Sequence, residues 1–335
     1  MQNPTVIFTA PKKAAVEERP IPKAKEGQVV VKARRTLIST GTELTIFKGE
    51  FPKDGAWDQW AKFPFQPGYA NIGDVTEVGP GVDKSLMGKR VATYAEHGLY
   101  GISGVQKTWP VPDGVSDDEA AFFVIAQICF NCVRRGRTQW GESAVVFGAG
   151  LIGHFITRGL LFAGARPVIA VDVTEERLAL LPNHPALIKV NPKKQNLKGV
   201  VKEATRGRMA DMVYEVTGAH SLIESEFEVL RPLGRFIMAS SPSGSSVFNF
   251  NDLVNATSTE IIGAHVSSQG DIETPNHQWT RTRNAELFFD LVLSKQLDVK
   301  PLISHNESYT KAPEFYQMLL TDRSKAMGVI MRWRD

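Results

Sequence analysis

The hexapeptide Gly148-Ala149-Gly150-Leu151-Ile152-Gly153 follows the apolar run Ser143-Ala144-Val145-Val146-Phe147 and opens a helix-like stretch. Three glycines at this spacing, between a strand and a helix, can cradle a dinucleotide pyrophosphate. Gly148 permits the tight turn, Gly150 lets the backbone approach phosphate, and Gly153 lets helix and strand pack closely. Leu151 and Ile152 begin the helix, whose free N–H groups face the phosphates. The next apolar run, Pro167-Val168-Ile169-Ala170-Val171, ends in Asp172, near the ~20-residue offset at which a ribose-binding acid is expected. A carboxylate there accepts hydrogen bonds from a ribose diol and repels a 2′-phosphate, and no Arg follows immediately. The expected cofactor is NAD(H) rather than NADP(H).

These residues need a parallel sheet to position them, and the surrounding pattern supplies one. From about residue 142, apolar strands alternate with helices: after the two runs above come Met212-Val213-Tyr214-Glu215-Val216, Arg235-Phe236-Ile237-Met238 and Ile261-Ile262-Gly263-Ala264-His265. Near-continuous apolar strands of this kind are covered by helices on both faces. The first ~120 residues differ. Short β-type runs (Val29 to Ala33, Asp74 to Val78, Arg90 to Tyr94) are broken by Gly and Pro turns, which predicts a mostly antiparallel β domain. From Ser116 to Arg135 the periodicity becomes helical behind an acidic first turn. The last ~65 residues predict a helix over 284–294, a Pro-Leu-Ile-Ser segment, a second helix and a final strand.

Composition narrows the function classes. In 335 residues, 42% hydrophobic and 22% charged content fits an ordinary globular protein and excludes disorder, collagen and a coiled coil. Net charge is +3, from 39 basic and 36 acidic residues, with no basic cluster interleaved with aromatics, so no nucleic-acid partner is expected. No apolar run reaches the ~20 residues a membrane helix needs, and the N-terminus reads as a strand rather than a signal peptide. A cytoplasmic protein with a small-molecule substrate and no membrane partner is expected. Cys129 and Cys132 are too few for a disulfide framework or a four-thiolate zinc site; inside a predicted helix they read as buried and inert.

A glycine-rich cofactor motif behind a β-rich domain resembles the medium-chain dehydrogenase/reductase (alcohol dehydrogenase-like) superfamily. Thr40-Gly41-Thr42-Glu43-Leu44-Thr45 is similar to its Cys-Gly-Thr-Asp-x-His segment. Pro67-Gly68-Tyr69-Ala70 is similar to its Gly-His-Glu segment, Gly88-Lys89-Arg90-Val91 to its Gly-Asp-Arg-Val turn, and Leu302 to His305 to a C-terminal signature. The resemblance implies an α/β protein: a GroES-like, mostly antiparallel β catalytic domain plus a doubly wound parallel-sheet Rossmann domain. Its boundaries would be 1–124 for the first part of the catalytic domain, 125–266 for the NAD-binding domain and 267–335 for the return. It also implies that Thr217 closes the fourth Rossmann strand, that Gln127 lies near the nicotinamide, and that subunits pair through the strand near 261–266, giving a homodimer or tetramer.

The departures bear on mechanism. Where the family's catalytic zinc takes Cys, His and Glu, this chain has Thr40, Tyr69 and Ala70, none of them a typical zinc ligand. The four-Cys structural-zinc lobe is replaced by Tyr94 to Tyr100. A zinc-free member is expected, closest in motif pattern to the branch of bacteriochlorophyllide dehydrogenase and related sugar or cyclitol enzymes. Side chains must then carry the proton. Tyr69 and His97 are the candidates, His97 with Glu96 beside it as orienter; Thr42 and Glu43 complete the catalytic set, and Thr45 replaces a relay His. For substrate contacts the candidates are Thr40, Trp57 in an aromatic loop with Trp60, Phe63 and Phe65, His265, Arg283 and His305. The expected activity is hydride transfer between nicotinamide and a secondary alcohol or ketone on a polyhydroxylated ring. A zinc-free enone reductase and a dinucleotide-binding protein without chemistry are the alternatives.

Overall fold

The apolar run Val29–Val31 is buried, as are Ala33, Thr36 and Leu37, and the strand that carries them pairs with three others, so the rest of the first unit assembles around it. The computed structural model describes residues 2–242 and 244–334. In chain order, β1 (Asn3–Ala10) and β2 (Lys13–Arg19) form an antiparallel hairpin, and β3 (Gln28–Leu37) leads to α1 (Thr42–Lys48) and α2 (Ala56–Trp60). Next come β4 (Asn71–Val78), β5 (Arg90–Thr93), β6 (Tyr100–Gly104), β7 (Thr108–Pro110) and α3 (Asp117–Ala120). The helix expected over 116–135 is therefore split. Ser116 and Glu119 form a capping box on α3, a turn intervenes at Ala121 and Phe122, and α4 (Phe123–Arg135) starts afresh. Likewise, residues 56–60, expected as loop, form one helical turn.

The middle of the chain forms the second unit: β8 (Ala144–Phe147), α5 (Leu151–Phe162), β9 (Val168–Val171), α6 (Glu175–Ala179), β10 (Leu187–Val190), α7 (Leu197–Ala204), β11 (Ala210–Glu215), α8 (Ile223–Glu226), β12 (Leu230–Met238) and β13 (Glu260–Gly263). Its six-stranded sheet has the order β10-β9-β8-β11-β12-β13 and every pairing is parallel. That is the doubly wound arrangement, with its switch point between β8 and β11. Val145, Ile169, Val213 and Phe236 are fully buried in its core.

The chain then returns to the first unit as α9 (Arg281–Leu293), β14 (Ile303–Ser308), α10 (Ala312–Thr321) and β15 (Gly328–Arg332). The seven-stranded sheet runs β14-β15-β3-β4-β5-β7, with β6 also on β3; all its pairings are antiparallel except β14 with β15. The compact units are residues up to Val124 together with those from Thr280 on, and Ile125–Trp279. The return thus begins at 280, not 267. The physical reason is local: Asn131 Nδ2 on α4 donates to the His265 carbonyl at 3.2 Å and Ser268 Oγ at 2.9 Å, and the Arg134 guanidinium lies 3.3 Å from the Trp279 ring centroid. These contacts keep 267–279 with the second unit.

Candidate functional site

In the second unit, the turn from β8 into α5 has the geometry its glycines allow. Gly148 sits at φ +102°, which disfavours any side chain. A Cβ on Gly153 would stand 1.8 Å from the Gly148 carbonyl oxygen, so only glycine lets α5 approach the turn. Gly150 is the N-cap of α5 with no side-chain cap, and a Cβ there would meet nothing within 4 Å. The N–H groups at Leu151 and Ile152, in the first turn of α5, have no intrahelical carbonyl to bond, which suits a phosphate. Asp172 closes β9 as expected and also braces the turn. Its Oδ2 accepts the Ala149 N–H at 2.7 Å and its Oδ1 the Thr174 N–H at 2.8 Å. Each oxygen keeps lone-pair capacity for a ribose hydroxyl.

Across the switch point, Thr217 follows β11, and the residue that shapes its turn is one the motifs do not reveal. Glu215, fully buried, accepts from the Thr217 N–H at 2.7 Å, the Thr217 hydroxyl at 2.6 Å and the Gly218 N–H at 2.9 Å, and also from the Ser240 hydroxyl. An acid ending an otherwise apolar strand was the available signal. Gln127 is buried on α4, as are Cys129 and Cys132. Burial pushes the Cys132 thiol up to about 12 and the Cys129 thiol well above its usual range, so both stay protonated and inert.

In the first unit, candidates from three separate segments meet, together with Tyr316 from a fourth. Glu43, in the first turn of α1, is 1% exposed, and His97 is 0% exposed. His97 Nε2 lies 3.1 Å from Glu43 Oε2, and the Tyr316 hydroxyl on α10 donates to the same oxygen. Glu43 Oε1 accepts the Ser39 N–H at 2.9 Å, and the Tyr69 hydroxyl donates to Ser39 Oγ. The partner of His97 is thus Glu43, not the neighbouring Glu96, and His97 is buried rather than displayed on a loop. Gly68 makes this possible: at φ +105°, a Cβ on it would stand 2.6 Å from the His97 nitrogen and 2.7 Å from its ring. Tyr69, Glu43 and His97 are brought together; Thr40 and Thr42 flank them in sequence, Thr42 as the first residue of α1 behind Gly41. Ser39 and Tyr316 were not singled out by sequence. A hydroxyl run at Ser39-Thr40 was a faint signal for the first, and nothing local marks the second.

The remaining candidates lie elsewhere. Trp57 packs on the core of the first unit with its ring 5.7 Å from Trp60, and Thr45 spends its hydroxyl on the Gly41 carbonyl. His305 bonds the Ser304 hydroxyl at 2.9 Å and packs edge-on against Phe315. Arg283 lies in the first turn of α9, its N–H capped by Thr280. His265 belongs to the second unit, where it is exposed and bonds Ser267 at 2.8 Å.

Two family profiles match the chain: the alcohol dehydrogenase GroES-like domain over residues 25–158 and the zinc-binding dehydrogenase over 152–281. The chain belongs to the alcohol dehydrogenase-like medium-chain dehydrogenase/reductase superfamily and is a dehydrogenase. It is 25% identical to D-guloside 3-dehydrogenase of Escherichia coli, over 97% of this chain and 99% of that one. It is also 25% identical to L-threonine 3-dehydrogenase of Shewanella woodyi, over 94% and 95%. Among solved structures, an Escherichia coli oxidoreductase of unknown specificity superposes with a TM-score of 0.85 at 19% identity over 100% of both chains. An Escherichia coli alcohol dehydrogenase complexed with NADH gives 0.83 at 18% over 99% of both.

The zinc that the family profile implies does not suit the donors present. Thr40 and Tyr69 offer hydroxyls and Ala70 a methyl, whereas zinc takes thiolate, imidazole and carboxylate. Among the described residues, no three His, Cys, Asp or Glu side chains gather into a group that could hold a metal ion. Glu43 and His97 are already bonded to each other.

Proposed function

We propose that this dehydrogenase is NAD(H)-dependent and zinc-independent, and that it interconverts a secondary alcohol and a ketone on a polyhydroxylated sugar or cyclitol ring. The observation that carries this reading is the Tyr69–Ser39 hydroxyl pair, backed by the buried Glu43 carboxylate, with Tyr69 at a position where zinc members place a metal ligand. Relatives named for guloside, L-idonate and galactitol 1-phosphate support the substrate class. A small molecule is the substrate, and a homodimer or tetramer the working form. Among the described residues, no helix is long and apolar enough to cross a membrane.

When bound, the nicotinamide supplies or accepts the hydride. Gly148, Gly150 and the Leu151 and Ile152 N–H groups would hold the pyrophosphate, and Asp172 would accept from the ribose diol. In the reductive direction, the carbonyl oxygen gains negative charge and needs a proton, which the Tyr69 phenol donates. In the oxidative direction, Tyr69 receives that proton. The Ser39 hydroxyl holds the phenol in register, and Thr40 and Thr42 bring further hydroxyls to the substrate side.

The test is NADH or NADPH absorbance with a panel of methyl D-guloside, L-idonate, galactitol, 2R,3R-butanediol, L-threonine, a cyclitol and an enone. Turnover of a polyol or ring alcohol with NAD⁺ is expected. Turnover confined to the enone with NADPH would replace this reading by C=C reduction.

A further inference from the structure

Glu43 raises a question of charge. A carboxylate with almost no exposure must be saturated with donors, because an uncompensated buried charge is costly. It receives three: the Ser39 N–H, His97 Nε2 and the Tyr316 hydroxyl. Burial, and then the Glu43 charge, hold the Tyr316 phenol well above its usual range, so it stays a donor throughout the working pH. His97 is pinned against Gly68, and its Nδ1 is buried with no hydrogen-bond partner, so Nε2···Glu43 sets the ring's orientation. The cluster bears on chemistry through Ser39. Glu43 grips that residue at both ends of its backbone: its carboxylate takes the Ser39 N–H at 2.9 Å, and its own N–H donates to the Ser39 carbonyl at 3.0 Å. Ser39 is 7% exposed, and its hydroxyl accepts from Tyr69.

We propose that Ser39 and Tyr316 are positioning residues for the Tyr69 proton: Tyr316 and His97 fix the Glu43 carboxylate, Glu43 fixes the Ser39 backbone, and the Ser39 hydroxyl holds the Tyr69 phenol. This rests on Tyr69 being the proton carrier. The chain of contacts joins the first turn of α1, the Gly68-Tyr69 segment, the 95–99 loop and α10, so a residue near the C-terminus acts on the reacting hydroxyl without touching substrate. When Tyr69 gives up its proton, the Ser39 hydroxyl can turn and donate to the phenolate. That charge-assisted bond is stronger than the neutral one.

A double-mutant cycle tests this, using kcat with NAD⁺ and whichever panel alcohol turns over fastest. Ser39→Ala should lower kcat about 10-fold or more and Tyr316→Phe about 3-fold, with NADH affinity near wild type. In a Tyr69→Phe background each should change kcat less than about twofold, because the group they position is gone. Ser39→Thr, which keeps the hydroxyl, should restore most of the Ser39→Ala loss. A substrate-free measurement accompanies it: in protein carrying tyrosine labelled at the ring carbon that bears the hydroxyl, the Tyr69 resonance should titrate about half a unit or more higher in Ser39→Ala than in wild type. If Ser39→Ala leaves kcat and that titration unchanged, or costs as much with Tyr69→Phe as without it, Ser39 is merely structural. Tyr69 as proton carrier would then still stand if Tyr69→Phe alone lowers kcat about 10²-fold or more. If Tyr69→Phe itself keeps wild-type kcat, the carrier assignment and this inference fall together.

Discussion

Three buried acids show how differently one residue type is used. Glu43 and Glu215 are saturated with donors, whereas Glu226 on α8 is buried with neither oxygen hydrogen-bonded. Burial, then the charge of Glu215, pushes the Glu226 carboxyl up to about 9. Its folded value lies above its unfolded one, so the unfolded state sheds this proton first. Stability is therefore full near pH 4 and falls as pH rises toward 9. Glu226→Gln, a neutral isostere, should raise the melting temperature by about 2 °C or more at pH 8 and converge on wild type near pH 4–5, read by calorimetry across pH. Asp172 braces the turn through the Ala149 and Thr174 N–H groups, and in the proposed function it also receives the ribose diol. Wild type should bind NADH much more tightly than NADPH, and Asp172→Ala should weaken NADH about 10-fold or more while narrowing the preference, because the Ala149 and Thr174 N–H groups lose their acceptor. Fluorescence titration checks both. Asp172 and the glycines were legible in the sequence because the motif is local: strand, turn and helix are consecutive. Glu43 and His97 were visible only as separate candidates, and Tyr316, far along the chain, not at all, because tertiary folding alone makes them neighbours.

Short elements carry the site, and their boundaries depend on single residues. Gly68 connects the strand-end aromatic Tyr69 to the backbone beside His97, and its positive φ and missing side chain let the two segments touch. Gly68→Ala should cost about 2–4 kcal/mol by chemical denaturation, and should reduce kcat more than a comparable loss elsewhere, since His97 must move. The parallel strands were well marked by apolar runs, yet β12 begins at Leu230, ahead of the run that signalled it, across Pro232 and Gly234. α3 and α4 read as one helix because apolar periodicity continues through the turn between them. Trp57 and Trp60 lie on a single helical turn, too short for periodicity to register.

At the scale of the molecule, the C-terminal return completes the first unit. β15 pairs with β3, the Trp333 indole donates to Thr36 at 2.9 Å, and Arg34, Arg90 and Arg334 share Asp74 and Asp117 in one ionic cluster. The same return delivers Tyr316 to Glu43. Family resemblance announced a return but set its start at 267 rather than 280, because α4 holds residues 267–279 through side-chain contacts that no periodicity encodes. In the second unit, β13 ends the sheet with Ile261 45% exposed, a strand edge open to another strand. A homodimer, or a tetramer of dimers, is expected by light scattering, and Ile261→Lys should shift it toward monomer; a stable monomer in the wild type would remove this edge as an interface. The central claim is that hydroxyls, not a metal, handle the proton. Its most direct test measures zinc by elemental analysis and NAD⁺-dependent alcohol oxidation on the same chelator-treated sample. The account predicts far less than one zinc per chain with turnover undiminished; about one tightly held zinc per chain, or activity that falls with chelation and returns with added zinc, would contradict it.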